Sequence, residues 1–433
     1  MARIRLTYVG GGSTRAPGTV ASLVERHGEA LAGSEVVLVD LVPERLAIVR
    51  RLGERLAAAR GVDLRFEATT DRRAGLADAD AVLLSYRPGG FEARVLDERI
   101  PLRHGIVGQE TQGPGGFFMA LRAIHVLREI LADIEAVAPR ARVFNYTNPV
   151  NVLADAATRY SPVPFASFCE GPYYYPRQLA EAAGLDPTRI RARMVGLNHA
   201  SWSVEASYDG QDPIPLFEAA WADASWRERL TPAARRHLGL AVTMRAIPAD
   251  YLTYYYFYDE VLAELRAKPT TRAEDILAAT TGYWAHYAEQ AEAPVPRLDP
   301  ARSRGGIYEL ELALEAIEAT FTDRGRNLAA NVPNRGALPG FSDDLVVEIE
   351  AWVDRRGIAT LPSPPLPDRV VGLIARLAEY QRLTADAAWR GSRRDAIRAL
   401  AAHPWLPSLE AAERLYDEMA AAHRAHLPDR LLR

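Results

Sequence analysis

The feature that most constrains this chain is the regular alternation of short apolar runs and helical patterns in its first 145 residues. The apolar runs predict strands at residues 4–9, 36–40, 64–68, 81–85 and 142–145. The segments between these runs have the spacing of helices, the longest of them over 116–138. Strands and helices repeated in this order predict an α/β fold with a parallel, doubly wound sheet, because parallel strands are usually connected by a helix.

The first predicted strand runs into a glycine-rich turn, Gly10-Gly11-Gly12-Ser13, and the second ends in Asp40. Such glycines let a dinucleotide pyrophosphate approach the backbone at a helix N-terminus, and the acid accepts hydrogen bonds from the ribose. The match to the dinucleotide fingerprint is incomplete, because Arg15 occupies the third glycine position and Asp40 lies 28 residues beyond Gly12 rather than about 20. A structural turn with a chance acid is the alternative. If the turn binds a dinucleotide, Asp40 favours NAD over NADP.

Length and composition exclude several classes of protein. A chain of 433 residues is too long for one simple core, so we expect a nucleotide-binding domain over 1–168 and an α+β substrate domain over 169–433. The net charge of -4, with no basic stripe, argues against a nucleic-acid partner. One cysteine excludes a disulfide framework. Because neither a signal peptide nor an apolar run of roughly 20 residues is found, we expect a cytoplasmic protein without a membrane span.

The single cysteine, Cys169, follows the apolar run 163–168, so we expect it at the C-terminal end of a strand, where open α/β sheets bind ligands. His199 follows a second apolar run, 194–197. A thiolate and an imidazole can hold a divalent metal and leave positions open for substrate. Spacing alone leaves a second interpretation open, since a lone cysteine is commonly a small buried hydrophobe. The glycines and acids of 89–116 similarly suit either a polar pocket or a solvated loop.

Six motifs follow one another along the chain: Gly10-Gly11-Gly12-Ser13, Gly108-Gln109-Glu110-Thr111, Thr147-Asn148-Pro149, Cys169, Gly196-Leu197-Asn198-His199 and Asn331-Val332-Pro333-Asn334-Arg335-Gly336. Together they resemble glycoside hydrolase family 4, the NAD- and manganese-dependent 6-phospho-glycosidases and their α-galactosidase and α-glucuronidase relatives. The resemblance extends from residue 4 to about residue 370. It implies a fold similar to lactate and malate dehydrogenases, with a Rossmann-type N-terminal part and an α+β C-terminal part.

The resemblance also implies an unusual glycosidase mechanism. In the family, NAD+ takes a hydride from C3 of the sugar, and the resulting ketone acidifies the hydrogen on C2. A divalent metal, Mn2+ in the family, polarises that ketone. A base removes the C2 proton, the glycosidic oxygen leaves, water adds and the hydride returns. No net oxidation occurs.

Residue roles follow from the resemblance. Cys169 and His199 are the implied metal ligands, and Tyr251 is the implied base, with Tyr255 as the alternative in a run of tyrosines that otherwise suits an aromatic interface. The residue after the cysteine is Asp in the 6-phospho-α-glucosidases and Asn in the 6-phospho-β-glucosidases. Glu170 matches neither, so the anomeric preference stays open, although Glu170 is a candidate to protonate the leaving group.

Substrate contacts are implied in the same way. Arg94 and Arg272 match positions that line the sugar and phosphate end of the family pocket, and Arg87 is a further candidate. Asn148 and Asn198 are the expected contacts to the sugar hydroxyls. We therefore expect a phosphorylated glucoside as substrate, with the β anomer favoured because the Asp of the α-glucosidases is missing. The same family's 6-phospho-α-glucosidases, α-galactosidases and uronidases are alternatives.

Two other function classes stay open at this point. One is a net NAD-dependent dehydrogenase of a hydroxy acid or sugar, and the other is a non-catalytic NAD sensor. The Cys169 and His199 pair argues against both, since such dehydrogenases use a His and Asp pair and a sensor needs no metal pocket. We expect the chain beyond residue 300 to be mostly helical, with apolar segments at 307–321 and 345–353. These helices are the expected interface of a homodimer or homotetramer.

Overall fold

The computed structural model describes residues 2–308 and 310–433. The strands in this part of the chain are β1 (Arg5–Val9), β2 (Ser34–Val39), β3 (Leu64–Thr69), β4 (Ala81–Leu84), β5 (Arg142–Asn145), β6 (Phe165–Ser167), β7 (Ile190–Leu197), β8 (Ala200–Tyr208), β9 (Arg326–Pro333), β10 (Val346–Asp354) and β11 (Gly357–Thr360).

The α-helices of the first half are α1 (Ala16–Ser22), α2 (Pro43–Arg60), α3 (Arg72–Leu76), α4 (Gly90–Arg103), α5 (Gly113–Val137), α6 (Val150–Tyr160), α7 (Gly171–Ala182), α8 (Ile214–Ala222) and α9 (Ala224–Arg229). Those of the second half are α10 (Pro232–Met244), α11 (Thr253–Tyr256), α12 (Tyr258–Ala267), α13 (Arg272–Glu292), α14 (Glu311–Thr322), α15 (Asp368–Arg390), α16 (Arg393–Ala402) and α17 (Leu409–Ala422). A π-helical turn, Leu23–His27, continues α1.

The strands form one sheet in the order β3-β2-β1-β4-β5-β6-β9-β10-β7-β8, with β11 paired to β10. The first six strands of this order are parallel, in the 3-2-1-4-5-6 arrangement of a Rossmann fold. From β6 onward each neighbouring pair is antiparallel. The predicted fold class is therefore confirmed.

Both faces of the inner parallel strands β1, β2 and β4 are buried, because helices cover each side. Successive residues of β2 point to opposite faces, so that Leu38 packs in one hydrophobic cluster with α1 and α2 while Val37 and Val39 pack in a second with α5. Near the C-terminus, β10, β11, α15, α16 and α17 each contribute residues to one of these clusters or pack against it. No helix in the described ranges combines the length and the apolarity that crossing a bilayer requires.

Two expectations about the second half were wrong. Residues 345–353, which we grouped with a mostly helical region, lie largely in strand β10, because its β-branched residues Val346, Val347 and Ile349 are buried between β9 and β7. The alternation of polar and apolar residues over 201–205 predicts a strand in a sheet packed against the nucleotide-binding domain. These residues do form part of β8, but β8 is the edge of the same continuous sheet. The boundary at residue 168 falls directly after β6 and stays a prediction.

Candidate active site

The glycine turn after β1 is required by the close approach of neighbouring strands. Gly10 has a positive φ of 99°, and a Cβ there would clash with the carbonyl oxygen of Ser85 at the end of β4. The backbone N–H of Gly12 donates a hydrogen bond of 2.9 Å to Oδ2 of Asp40. The turn and the acid that the sequence singled out are thus in direct contact. A side chain at Gly12 would meet this carboxylate.

A cavity of about 480 Å³ opens at the carboxyl ends of β1, β2, β4 and β5, where open α/β sheets bind ligands. Its charged lining comprises five arginines and three acids: Arg15, Arg45, Arg72, Arg87, Arg304, Asp40, Glu92 and Glu110. Ser13 Oγ and Asn148 Oδ1 are buried at this lining and have no hydrogen-bond partner among the described residues. The excess of cations and the unpartnered polar atoms fit a ligand with phosphates and hydroxyls, such as a dinucleotide.

The predicted metal ligands lie together beside this cavity. Cys169 Sγ and His199 Nε2 are 3.6 Å apart, and His199 Nδ1 is 3.0 Å from Thr111 Oγ1, which orients the ring. Metal–sulfur and metal–nitrogen distances of about 2.3 and 2.1 Å would separate the two ligand atoms by roughly 3 to 3.6 Å, so one ion fits between them. Within residues 2–308 and 310–433, no group of three or more His, Cys, Asp or Glu side chains is placed to hold a metal ion, so the described side chains offer two ligands here, Cys169 and His199.

Burial keeps this pair uncharged in the absence of a cation. It raises the pKa of the Cys169 thiol to about 12, with the nearby Glu348 carboxylate adding to the effect, and it lowers the pKa of His199 to about 4. A neutral imidazole is the form that binds metals. A divalent cation would deprotonate the thiol, so metal binding here releases a proton.

Of the two candidate bases, the structure brings Tyr251 to the metal pair. Its ring stacks on His199 with centroids 3.8 Å apart and planes 2° from parallel. The hydroxyl of Tyr255 instead contacts Gln112 and lies 3.3 Å from His403 Nε2. Burial raises the pKa of Tyr251 well above its usual value, and nearby Asp250 adds to the shift. A phenol in this position becomes a base only if a cation lowers its pKa.

Glu170 is partly buried and accepts two hydrogen bonds. Its Oε1 accepts from the hydroxyl of Tyr146 and from the backbone N–H of Leu312, the latter at 3.2 Å. Burial raises the pKa of Glu170. The carboxyl group therefore links the cavity residue Tyr146 to the first turn of α14. Its role as the acid stays a prediction.

The arginines predicted from the resemblance lie in different surroundings. Arg94 is buried and pairs with Glu98 at 2.7 Å and with Glu110 at 2.8 Å. Arg87 lines the cavity and pairs with Glu110 at 2.7 Å. Although burial disfavours the carboxylate, these two guanidinium groups lower the pKa of Glu110 to about 2. Arg272 is exposed at the start of α13, and neither it nor Arg94 is among the described residues that line the cavity.

Asn148 and Asn198 also differ. Asn148 lines the cavity, whereas the Asn198 amide is buried and donates a hydrogen bond of 2.8 Å to Oε1 of Glu348. Sequence reasoning did not single out Glu348, although a glutamate inside the apolar run 345–353 was a usable signal. It also missed Glu110 as the partner of two arginines, and Asp250, whose pKa burial raises to about 6.

Comparisons with known proteins agree with this geometry. The chain matches the family model described as family 4 glycosyl hydrolase over residues 5–185 and the model of that family's C-terminal domain over residues 194–406. A probable 6-phospho-beta-glucosidase of Bacillus subtilis is 33% identical over 433 residues, which cover 98% of this chain and 97% of the relative. A 6-phospho-alpha-glucosidase of Leptotrichia buccalis is 27% identical over 448 residues, with 99% of each chain covered.

Solved structures give the same result. A 6-phospho-beta glucosidase of Thermotoga maritima with manganese, NAD+ and glucose-6-phosphate aligns with a TM-score of 0.83 at 26% identity, covering 98% of this chain and 99% of the other. A malate dehydrogenase of Plasmodium falciparum aligns with a TM-score of 0.55 at 13% identity over 89% of this chain and 100% of the other, which concerns the fold alone. The predicted likeness to malate dehydrogenase is thus confirmed.

Proposed function

Because this chain belongs to family 4 of the glycosyl hydrolases, we propose that it hydrolyses 6-phospho-glucosides with NAD+ and a divalent metal, Mn2+ first among them, and that it prefers the β anomer. The observation that carries this proposal is the Cys169 and His199 pair, 3.6 Å apart, beside a cavity with the fold and lining of a dinucleotide site. Cytoplasmic location and a homodimer or homotetramer stay predictions.

The proposed mechanism assigns the following steps to the chain's own residues. When bound, NAD+ supplies a hydride acceptor and the divalent metal a Lewis acid. Cys169 and His199 hold the metal. Tyr251, stacked on His199, takes the proton from the sugar carbon beside the oxidised one. The unpartnered Oδ1 of Asn148 accepts a hydrogen bond from a sugar hydroxyl, which removes the unfavourable desolvation of that buried atom.

The relatives support a phosphorylated substrate, because those compared above carry the names of 6-phospho-glucosidases. The five arginines and three acids of the lining leave a balance of +2, which a dinucleotide pyrophosphate by itself would neutralise. We propose that Arg87, at the lining, contacts the sugar phosphate directly and that Arg94 acts by holding Glu110 in place. Direct contacts from Arg94, Arg272 and Asn198 to the substrate stay predictions. A competing dehydrogenase function has no specific observation in its favour.

The preference for the β anomer is proposed on two grounds. The relative with 33% identity carries the name of a β-glucosidase, whereas the α-glucosidase compared above is 27% identical. In addition, Oε1 of the Glu170 carboxyl accepts hydrogen bonds from Tyr146 and from the backbone of Leu312. The glycosidic oxygen is expelled by elimination next to a ketone, and this step requires no acid placed close to it. Hydrolysis therefore proceeds while Glu170 keeps these two hydrogen bonds.

The test is to measure nitrophenol release from 6-phosphorylated and plain nitrophenyl glucosides of both anomers, with and without NAD+ and Mn2+. We expect release only from the phosphorylated compounds, faster from the β anomer, and only when both cofactors are present. NADH should not accumulate, because the hydride returns to the sugar. NADH formed in proportion to substrate consumed would instead establish a net dehydrogenase, and equal rates on the plain glucosides would refute the phosphate assignment.

A further inference from the structure

Glu348 is a buried acid on an interior strand of the sheet. It lies in β10, is 1% exposed, and pairs with Gly196 of β7 on one side and Asn331 of β9 on the other. A buried carboxylate is costly unless donors satisfy its oxygens. An acid at this buried position is therefore expected to have a specific role that offsets its cost.

Three neutral side chains satisfy this carboxylate. Its Oε1 accepts from Asn198 Nδ2 at 2.8 Å and from Asn331 Nδ2 at 3.4 Å, and its Oε2 accepts from Ser201 Oγ at 2.9 Å. Asn198 and Ser201 flank the tight turn between β7 and β8, so one side chain holds both ends of that turn. All four of these residues are at least nine-tenths buried.

The turn held in this way carries His199. The backbone of His199 has a φ of 61°, in the left-handed region that costs a residue with a Cβ roughly 1 kcal/mol or more. Turns of this kind persist only where the surrounding structure holds them. The hydrogen bonds from Asn198 and Ser201 to Glu348 supply that restraint on either side of the histidine.

The same arrangement reaches the cysteine. Asn331 pairs with Ser167, two residues before Cys169, across β6 and β9. Glu348 contacts Asn331 on one side and the His199 turn on the other, so it connects the two segments that carry the metal ligands. Its carboxylate is also close enough to raise the pKa of the Cys169 thiol electrostatically, as described above.

We propose that Glu348 is a positioning residue for the metal site: it fixes the relative placement of Cys169 and His199 through Asn331, Asn198 and Ser201. This inference rests on the proposed function, because it presupposes that the pair binds a divalent metal. Groups that orient metal ligands typically contribute ten- to a hundredfold to metal affinity. Glu348 touches neither the dinucleotide cavity nor the predicted substrate contacts other than Asn198.

The test is the affinity for Mn2+, measured by electron paramagnetic resonance of free Mn2+ with NAD+ at saturation. Glu348→Gln keeps the shape of the side chain but replaces one acceptor oxygen by an NH2 group, which then faces the donors of Asn198, Asn331 or Ser201. We therefore expect Mn2+ to bind about ten- to a hundredfold more weakly. Glu350→Gln, two residues along the same strand and half-exposed, is the matched control and should bind as wild type. NAD+ affinity should be unchanged in both variants, and excess Mn2+ should restore turnover in Glu348→Gln.

The outcomes separate the two proposals. Mn2+ affinity within twofold of wild type in Glu348→Gln would overturn the positioning role, as would an equal loss of NAD+ affinity, which indicates general damage. If Glu348→Gln does not fold, Ser201→Ala removes a single donor and should weaken Mn2+ binding by a smaller factor; wild-type affinity there would overturn the proposal. A wild-type protein that binds no Mn2+ would refute the metal site itself.

Discussion

At the scale of single residues, the metal pair is the most direct test of the site. We expect Cys169→Ser and His199→Ala each to lower Mn2+-dependent turnover by at least a hundredfold, because each removes one of the two protein ligands 3.6 Å apart. Steady-state rates over a Mn2+ titration measure this. Circular dichroism and NAD+ binding should match wild type, which separates a lost ligand from a lost fold. Wild-type turnover in Cys169→Ser would show that the metal lies elsewhere.

Asp40 gives a second residue-scale prediction. Asp40→Ala removes the carboxylate that accepts from the Gly12 N–H and that we expect to bind the ribose. Hydrogen bonds to charged groups contribute about 1.5 to 3 kcal/mol, so the dissociation constant for NAD+ should rise roughly ten- to a hundredfold. Calorimetric titration measures it, with the exposed Asp63→Ala as control. An unchanged dissociation constant would favour the structural turn over the dinucleotide site.

Arg87 is the cavity residue that we expect to contact the sugar phosphate. Arg87→Gln removes a guanidinium from the cavity lining and should lower kcat/KM for a 6-phosphorylated glucoside roughly ten- to a hundredfold. The plain glucoside gives the background rate. Arg50→Gln, which changes an exposed arginine of α2, should have no effect. If Arg87→Gln retains the wild-type kcat/KM, Arg94 or Arg272 becomes the better candidate for the phosphate contact.

At the scale of elements, a buried triad joins α4, α5 and the end of α17. Arg122 makes a two-pronged ion pair with Asp97, at 2.9 and 2.6 Å, and His423 Nε2 lies 2.9 Å from Asp97 Oδ1. All three side chains are fully buried. Helices distant in sequence are thus held by one carboxylate.

Asp97→Ala should therefore destabilise the fold strongly. Removing one partner leaves the Arg122 charge buried and unpaired, which typically costs about 3 to 5 kcal/mol. The midpoint of urea unfolding measures this loss. Asp417→Ala on α17 breaks the exposed ion pair of Asp417 with Arg393 of α16, and it should lower the free energy of unfolding by about 0 to 1 kcal/mol. Equal midpoints for the two variants would mean that the triad does not hold these helices.

At the scale of the whole molecule, His27 joins the N-terminal part to α14. Its Nδ1 is 2.7 Å from Glu318 and its Nε2 is 3.2 Å from Glu311, which also pairs with Arg26. Burial disfavours the imidazolium, but these carboxylates outweigh it and raise the pKa of His27. A raised folded-state pKa stabilises the protein fully below the unfolded value of about 6.5 and progressively less as pH rises through the folded value.

The consequence is a pH-dependent stability difference. Relative to His27→Gln, the wild type should be more stable by about 1.5 to 3 kcal/mol at pH 5.5, the range for hydrogen bonds to charged groups, and by less at pH 9. Urea unfolding at the two pH values measures the difference. The exposed His426 is a matched control, because His426→Gln should show no such dependence. A difference that is the same at both pH values would contradict the charged interaction.

Features that depend on local pattern could be predicted from the amino-acid sequence. The alternation of β1 to β5 with helices, the glycine turn with Asp40, and the ends of strands where Cys169 and His199 lie all follow from spacing and from residue type within short segments. The resemblance added the order of the motifs along the chain. Where pattern was ambiguous, as for β10, a short apolar run did not distinguish a buried strand from a helix.

Contacts between residues distant in sequence became known from the folded structure. Glu348 is 150 positions from Asn198, and Asp97 is more than 300 from His423, yet the side chains of each pair lie within 3 Å of one another. The stacking of Tyr251 on His199 and the place of Arg87 at the cavity are contacts of the same kind. Such contacts are set by the packing of complete helices and strands, and burial then sets their electrostatics, so no local property of the sequence specifies them.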